Sequence, residues 1–252
     1  MRTINHEGVA VEVLVEDRLF VARSAVPKEL CEHTALEYHM IKDVVQYQYP
    51  DMPMGDPTMP GAFSMYCPVC FEALGQYHKP FVESLIEKEL WQTFSYGRLY
   101  VKNTECYQHR DRSSGEWVGN ICVTADPQYK WSFFIDVKGE KHELFLETGD
   151  SVIFKGHEDL HWRPNYEGNK EQIQCFVSYV DKNGQYADRK WDGRPMLAAP
   201  WEAASDLVRN EQSQQNHNPY YGKCENNTGE GYDEDDEAVS YTHLTLPTRL
   251  LV

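Results

Sequence analysis

No stretch of the chain approaches the roughly 18 to 20 uninterrupted apolar residues that a membrane-spanning helix needs. The opening residues, MRTINHEGVAVEV, also lack the apolar run of a secretory signal. Both absences predict a soluble, intracellular (cytoplasmic) protein. Positive charge is scarce too: 24 Lys and Arg face 40 Asp and Glu, a formal net charge of −16. Residues 225 to 252 hold seven of the acids and one base, which leaves 23 bases against 33 acids, a net of −10, on the remainder. Affinity for nucleic acid comes mainly from Lys and Arg neutralising phosphates, so neither nucleic acid nor an anionic membrane surface is expected as a partner. Seven cysteines, an odd number, read as reduced thiols rather than a disulfide framework. Cys67 and Cys70 form one CxxC, but Cys31, Cys106, Cys122, Cys175 and Cys224 stand singly, so the second close pair of a zinc ribbon is missing.

With 252 residues, 41% of them apolar, the chain fits one globular domain plus a tail. Residues 8 to 22 alternate apolar and polar as one or two short strands do. Pro27 opens a helix in which Leu30, Thr34, Tyr38, Ile41 and Val45 recur every three or four positions, the spacing of one buried face. Tyr47 to Phe63 is rich in Pro, Met, Gly and Asp without a period, the composition of a long loop. A second helix spans about Pro68 to Leu90, with Phe71, Leu74, Phe81 and Leu85 on one side and a kink expected at Pro80. After Trp91 come short runs of aromatic and β-branched residues: Phe94 to Val101, Trp117 to Thr124, Lys130 to Asp136, Leu144 to Glu147, Ser151 to Phe154 and Gln172 to Val180. Strands following helices predict an α+β domain whose second half is a β-sandwich or barrel.

Periodicity is lost from Asp188, and Glu211 to Glu237 is too polar to bury a core. The expected division is therefore a domain over 1–187, with helical support over 24–91 and a β core over 92–182. A disordered polar tail over 188–238 follows. The last residues, 239–252, contain SYTHLTLPT, which resembles translated sequencing-adapter read-through; they are set apart from the fold, and the natural C-terminus is expected to be missing.

Chemistry concentrates between Tyr96 and Asp181. His109-Arg110-Asp111 follows one strand and His161 precedes the last. In extended backbone, residues two apart share a side about 7 Å from each other, so His109 and Asp111 can converge on one ion and His161 can supply a third ligand. Two imidazoles and a carboxylate with vacant positions are the facial set of non-haem Fe(II) oxygenases. A single HxD pattern is common by chance, and His157-Glu158-Asp159 is a second one, read here as a surface or hydrogen-bonded histidine.

The runs RLYVKNTECYQHRDR, GDSVIF, DLHWRPNYEGNK and QIQCFVSYVD, in this order over roughly a third of the chain, resemble the 2-oxoglutarate- and Fe(II)-dependent oxygenases. The likeness is to their prolyl 4-hydroxylase-like branch, including relatives from marine viral and plankton sequences. The resemblance implies a double-stranded β-helix (jelly-roll or cupin-like) core buttressed by the N-terminal helices. It assigns iron to His109, Asp111 and His161, and faces Tyr100 and Lys170 toward the cosubstrate. Arg163, two residues past His161, is the competing carboxylate anchor. Where prolyl hydroxylases often have Tyr three residues before the first ligand, this chain has Cys106. Arg98 and Arg112 are candidates to orient a carboxylate or meet an acidic substrate, and Trp131, Trp162 and Tyr166 to line the pocket; each is equally readable as supporting structure.

The implied cofactors are Fe(II) and 2-oxoglutarate, with ascorbate as an option. The implied reaction is hydroxylation of a C–H bond in a peptidyl or small-molecule substrate, releasing succinate and CO2. Two other classes share these features: a non-catalytic β-helix binding or virion-associated structural protein, and a zinc hydrolase using the same three side chains. The sequence is silent on oligomeric state.

Overall fold

The computed structural model describes residues 2–51, 55–56 and 59–216. Three strands come first: β1 (Arg2–His6), β2 (Val9–Val15) and β3 (Leu19–Arg23). Helix α1 (Lys28–Gln48) follows, then a two-residue pair, β4 (Gly55–Asp56) and β5 (Met59–Pro60), β6 (Phe63–Tyr66) and helix α2 (Val69–Ile86). Eight strands then run in succession: β7 (Leu90–Tyr100), β8 (Cys106–His109), β9 (Trp117–Thr124), β10 (Ser132–Val137), β11 (Glu140–Phe145), β12 (Ser151–Phe154), β13 (Leu160–Arg163) and β14 (Gln172–Asp181).

These eight strands form two facing sheets. One holds β12-β9-β14-β7 side by side, flanked by β3-β2-β1 at one edge and β6 at the other; the opposite sheet is β11-β10-β13-β8. Apart from the β10–β11 hairpin, the chain crosses from one sheet to the other at every step. That is the double-stranded β-helix expected from the resemblance. All the pairings are antiparallel.

Both helices pack on the outer face of the larger sheet. Tyr38 of α1 and Phe71 of α2 stack at 4.6 Å, and both press on Gly97 of β7, where an added Cβ would meet them at 2.7 and 2.4 Å. Tyr38, Phe71, Leu74 and Val82 bury against Leu99, Trp117, Ile121, Cys175 and Val177. The inner face of the same sheet contributes Val118, Val152 and Phe154, which pack on Phe133 and Ile135 of the smaller sheet and close one end of the β-helix. The expected period-two alternation therefore divides β9 between two cores.

The short strands expected over residues 8 to 22 are present as β2 and β3, and β1 ahead of them extends the larger sheet by one more. Two expectations need correcting. The predicted loop after α1 includes β4, β5 and the start of β6, although its residues 52–54 and 57–58 lie outside the described residues. The largest correction concerns the tail. Residues 188–216 are part of the folded body: Asp192, Arg194, Trp201 and Val208 are buried, and the segment ends in helix α3 (Asp206–Asn216). Its anchors are one Trp packed on Tyr66 at 5.3 Å and two buried ion pairs, Arg112–Asp192 and Arg194–Glu72, none of which leaves a hydrophobic period in the sequence. The rest of the predicted tail, 217–238, and the read-through segment, 239–252, lie outside the described residues.

Candidate metal centre and adjoining pocket

Two strands of the smaller sheet bring the histidines together. β13 runs antiparallel to β8 with His161 directly opposite His109, and the two imidazole centroids are 4.3 Å apart. Asp111, just past the end of β8, turns back toward both: its carboxylate oxygens lie 3.7 Å from His109 Nε2 and 3.8 Å from His161 Nε2. One potential ligand atom from each residue falls within 4.8 Å of the others, and this is the one such His/Cys/Asp/Glu group among the described residues.

The other nitrogen of each imidazole is committed to the backbone. His109 Nδ1 lies 2.8 Å from the Tyr107 carbonyl and His161 Nδ1 2.9 Å from the Asp159 carbonyl. A carbonyl only accepts, so Nδ1 carries the proton and Nε2 is the nitrogen left facing Asp111, the orientation a metal requires. Asp111 is seated by small neighbours. Its N–H donates to the Gly156 carbonyl at 2.9 Å, and a Cβ at Gly156 would come within 2.3 Å of Asp111 Oδ2. A Cβ at Gly115 would meet Asp111 Cβ at 2.9 Å. Phe154 and Phe133 cover His161 edge-on, at 4.9 and 6.1 Å.

Beyond the histidines the space between the sheets holds a buried cation. Arg163 shares a face of β13 with His161 and is 2% exposed; its guanidinium lies 4.7 Å from the centre of Trp131 and 4.6 Å from that of Phe133. Among the described residues its one hydrogen bond is to the neutral Gln174 Oε1 at 3.3 Å, its Nε has none, and no carboxylate pairs with it. Burial lowers its pKa, opposed by the nearby Tyr100, Cys122 and Cys106 side chains. An arginine stays charged in any protein, so a desolvated guanidinium without a counter-charge is costly until an anion joins it. Tyr100 lies against Trp131 at 4.7 Å on the same side of the pocket.

Lys170 takes a different position. Its side chain is exposed, while its backbone N–H donates to Asp126 at 3.2 Å and its carbonyl accepts from the Tyr166 hydroxyl at 2.5 Å. The remaining candidates divide similarly. Arg112 is spent on Asp192, and Arg98 is buried with its guanidinium over Tyr96 at 4.9 Å. Trp131 and Tyr166 pack near Tyr100, whereas Trp162, next to His161 and so on the opposite face of β13, stacks on Phe134 at 5.2 Å. The His157 ring packs on Tyr186 at 5.1 Å and stays outside the metal cluster. Cys67 and Cys70 are free thiols.

Three residues that matter here escaped the sequence reading. Gly115 and Gly156 carry no signal in one sequence. Asn120 does: it is a lone amide in the apolar run WVGNICVT of β9, on the side of Val118 and Cys122. It is fully buried, and neither amide atom has a hydrogen-bond partner among the described residues. A buried amide normally has its partners, which makes Asn120 an exception on the inward face of β9.

No protein-family model matches the chain, and no curated sequence matches it. Solved structures do. HygX from Streptomyces hygroscopicus, crystallised with nickel, 2-oxoglutarate and hygromycin B, aligns at 11% identity over 66% of this chain and 83% of its own, with a TM-score of 0.51. The non-heme α-ketoglutarate-dependent epimerase SnoN of nogalamycin biosynthesis aligns at 10% identity over 66% and 78%, also at 0.51. A Pseudomonas putida prolyl-4-hydroxylase aligns at 12% identity over 67% and 95%, at 0.49. In fold the chain is similar to the 2-oxoglutarate- and iron-dependent oxygenases.

Proposed function

We propose that this protein is an Fe(II)- and 2-oxoglutarate-dependent dioxygenase that hydroxylates a C–H bond of a peptidyl or small-molecule substrate, with release of succinate and CO2. The observation that carries the reading is the in-register pair His109 and His161 meeting Asp111, with both Nε2 atoms directed at one carboxylate. The donor set fits iron: two neutral imidazoles and one anion on one side leave the other coordination positions for ligands that exchange. The pocket fits the cosubstrate. The unpaired Arg163 guanidinium, on the same face of β13 as His161, suits the far carboxylate of a short dicarboxylate whose other end sits at the metal.

When bound, the metal supplies the oxygen activation and one-electron chemistry that no amino-acid side chain provides. The protein's own residues bind and orient. The Tyr107 and Asp159 carbonyls hold the imidazole tautomers, and Gly156 leaves room for the Asp111 carboxylate. Arg163, with Tyr100 beside it, fixes the cosubstrate. Phe133, Phe154 and Trp131 exclude water around both, strengthening every charge interaction in the pocket. A non-catalytic scaffold would have no need of two correctly tautomerised histidines and a buried unpaired arginine.

The test is Fe(II)-dependent formation of succinate from 2-oxoglutarate by the purified chain, screened against pools of peptides and metabolites. Turnover that needs both Fe(II) and 2-oxoglutarate is expected. Zinc retained in preference to added Fe(II), with no oxygen consumed, would overturn the reading in favour of a hydrolase.

A further inference from the structure

Asp111 opens a short turn, 111–116, that leads through the one-turn 3-10 helix Ser113–Gly115 into β9. One side of this turn is tied to the β12–β13 connection: Asp111 N–H donates to the Gly156 carbonyl at 2.9 Å, and His157 N–H donates to the Gly115 carbonyl at 3.0 Å. The other side is held by the segment after the β-helix. The Arg112 guanidinium forms a two-pronged buried pair with Asp192, and the Ser114 and Tyr66 hydroxyls both donate to the same carboxylate at 2.6 Å. Ser113 gives its backbone N–H and its hydroxyl to Glu211, each at 2.8 Å, and Arg189 Nε donates to the Ser113 hydroxyl at 3.1 Å. Arg112 also lies over Phe94 at 4.2 Å and over Trp201 at 5.6 Å.

Residues 112, 113 and 114 thus each contact the C-terminal segment through a side chain, while residue 111 is the carboxylate of the metal centre. A buried ion pair contributes little net stability against apolar residues of the same size, but it fixes geometry, since loss of either partner strands a charge. We infer that residues 187–216 act as a clamp on the ligand-bearing turn, with Asp192 and Glu211 as positioning residues that set Asp111 for the divalent cation. This rests on the metal reading above. It makes cation affinity depend on a carboxylate 80 positions from its partner Arg112, and on another 98 positions from Ser113.

The test uses the full chain and Mn(II), an oxygen-stable divalent probe, titrated into wild type, Asp192→Asn and Glu211→Gln. Amide hydrogen exchange over 111–116 and thermal unfolding are measured in parallel. Residues that support metal ligands change affinity by roughly 10- to 100-fold when replaced, so D192N is expected to weaken Mn(II) binding about tenfold or more. E211Q, at the half-buried edge with the Arg112–Asp192 pair intact, is expected to weaken it less. In both, faster exchange should be confined to the turn, and E211Q should melt as wild type does. Folded variants that bind Mn(II) like wild type with unchanged exchange in the turn overturn the clamp. If D192N does not fold, E211Q decides by the same two readouts. If wild type binds no Mn(II), the metal reading falls, and the clamp falls with it as a device for cation binding, whatever the exchange data show.

Discussion

Arg163 stands two residues beyond His161 on the same inward face of β13, so one member of the His109, Asp111 and His161 cluster and a buried cation with no carboxylate partner among the described residues share one face of one strand. Two strand residues on a face are about 7 Å apart, a distance a short dicarboxylate can bridge. The exposed Lys170 has no such relationship to His161.

Arg163→Leu is therefore expected to raise the 2-oxoglutarate concentration needed for half-maximal turnover by roughly 30-fold or more, the cost of about 2 kcal/mol for breaking a buried charge pair. Fe(II) affinity should be nearly unchanged. The same variant should melt at a higher temperature than wild type when no cosubstrate is present, because it removes a desolvated charge that has no counter-ion among the described residues. Lys170→Ala should leave the 2-oxoglutarate requirement within about twofold, as an exposed lysine contributes little. Steady-state kinetics and thermal melts of the two variants check this, and the opposite ranking would move the anchor to Lys170.

Gly156→Ala should cost metal affinity without unfolding the chain. The new methyl group would sit 2.3 Å from Asp111 Oδ2, 2.6 Å from Val118 Cγ2 and 2.9 Å from the Gly115 carbonyl oxygen, so the Asp111 carboxylate and the turn that carries it must shift away, at some cost in stability as well. Metal titration with circular dichroism as the control for folding measures it. An alanine variant that binds the cation as wild type does would show that Asp111 tolerates displacement.

His78 of α2 predicts an acid sensitivity unconnected with the metal. It is 1% exposed with neither ring nitrogen bonded, it lies against Gly119 of β9, and burial lowers its pKa from 6.5 to about 4. Between those two values the unfolded chain binds a proton that the folded chain refuses, so stability rises with pH across the window and is lost as pH falls through it. The full effect is on the order of 3 kcal/mol. Urea unfolding at a series of pH values should show this slope in wild type, and His78→Leu should flatten it. An equal slope in the variant would assign the acid sensitivity to other groups.

His157→Ala should alter neither Fe(II) binding nor turnover by more than about twofold, since its ring packs on Tyr186 outside the ligand cluster. Loss of iron in this variant would move a ligand from His161 to His157.

What the sequence disclosed follows what leaves a local trace. α1 showed itself through Tyr38 and Val45 on one 3.6-residue face, and β9 and β12 through dense apolar runs whose bounds match the structure. β8 and β13 were invisible as strands. CYQH and LHWR are four residues long and mix polar with apolar side chains, too short a run to show a period. The HxD spacing and the order of the surrounding segments pointed to His109, Asp111 and His161, and the structure brings one potential ligand atom of each within 4.8 Å of the others. The register that sets His109 opposite His161 was not, since it depends on how two sheets close. Arg163 and Lys170 were indistinguishable until burial separated them. Asp192 and Glu211 left no signal, because contacts across 80 and 98 positions have no period to detect.

The most direct test of the whole account is anaerobic equilibrium dialysis of the purified chain against Fe(II), comparing wild type with His161→Ala. One ion per wild-type chain is expected, with binding and 2-oxoglutarate-dependent succinate formation lost together in the variant. Equal iron retention by the two proteins, or none in the wild type, would contradict it.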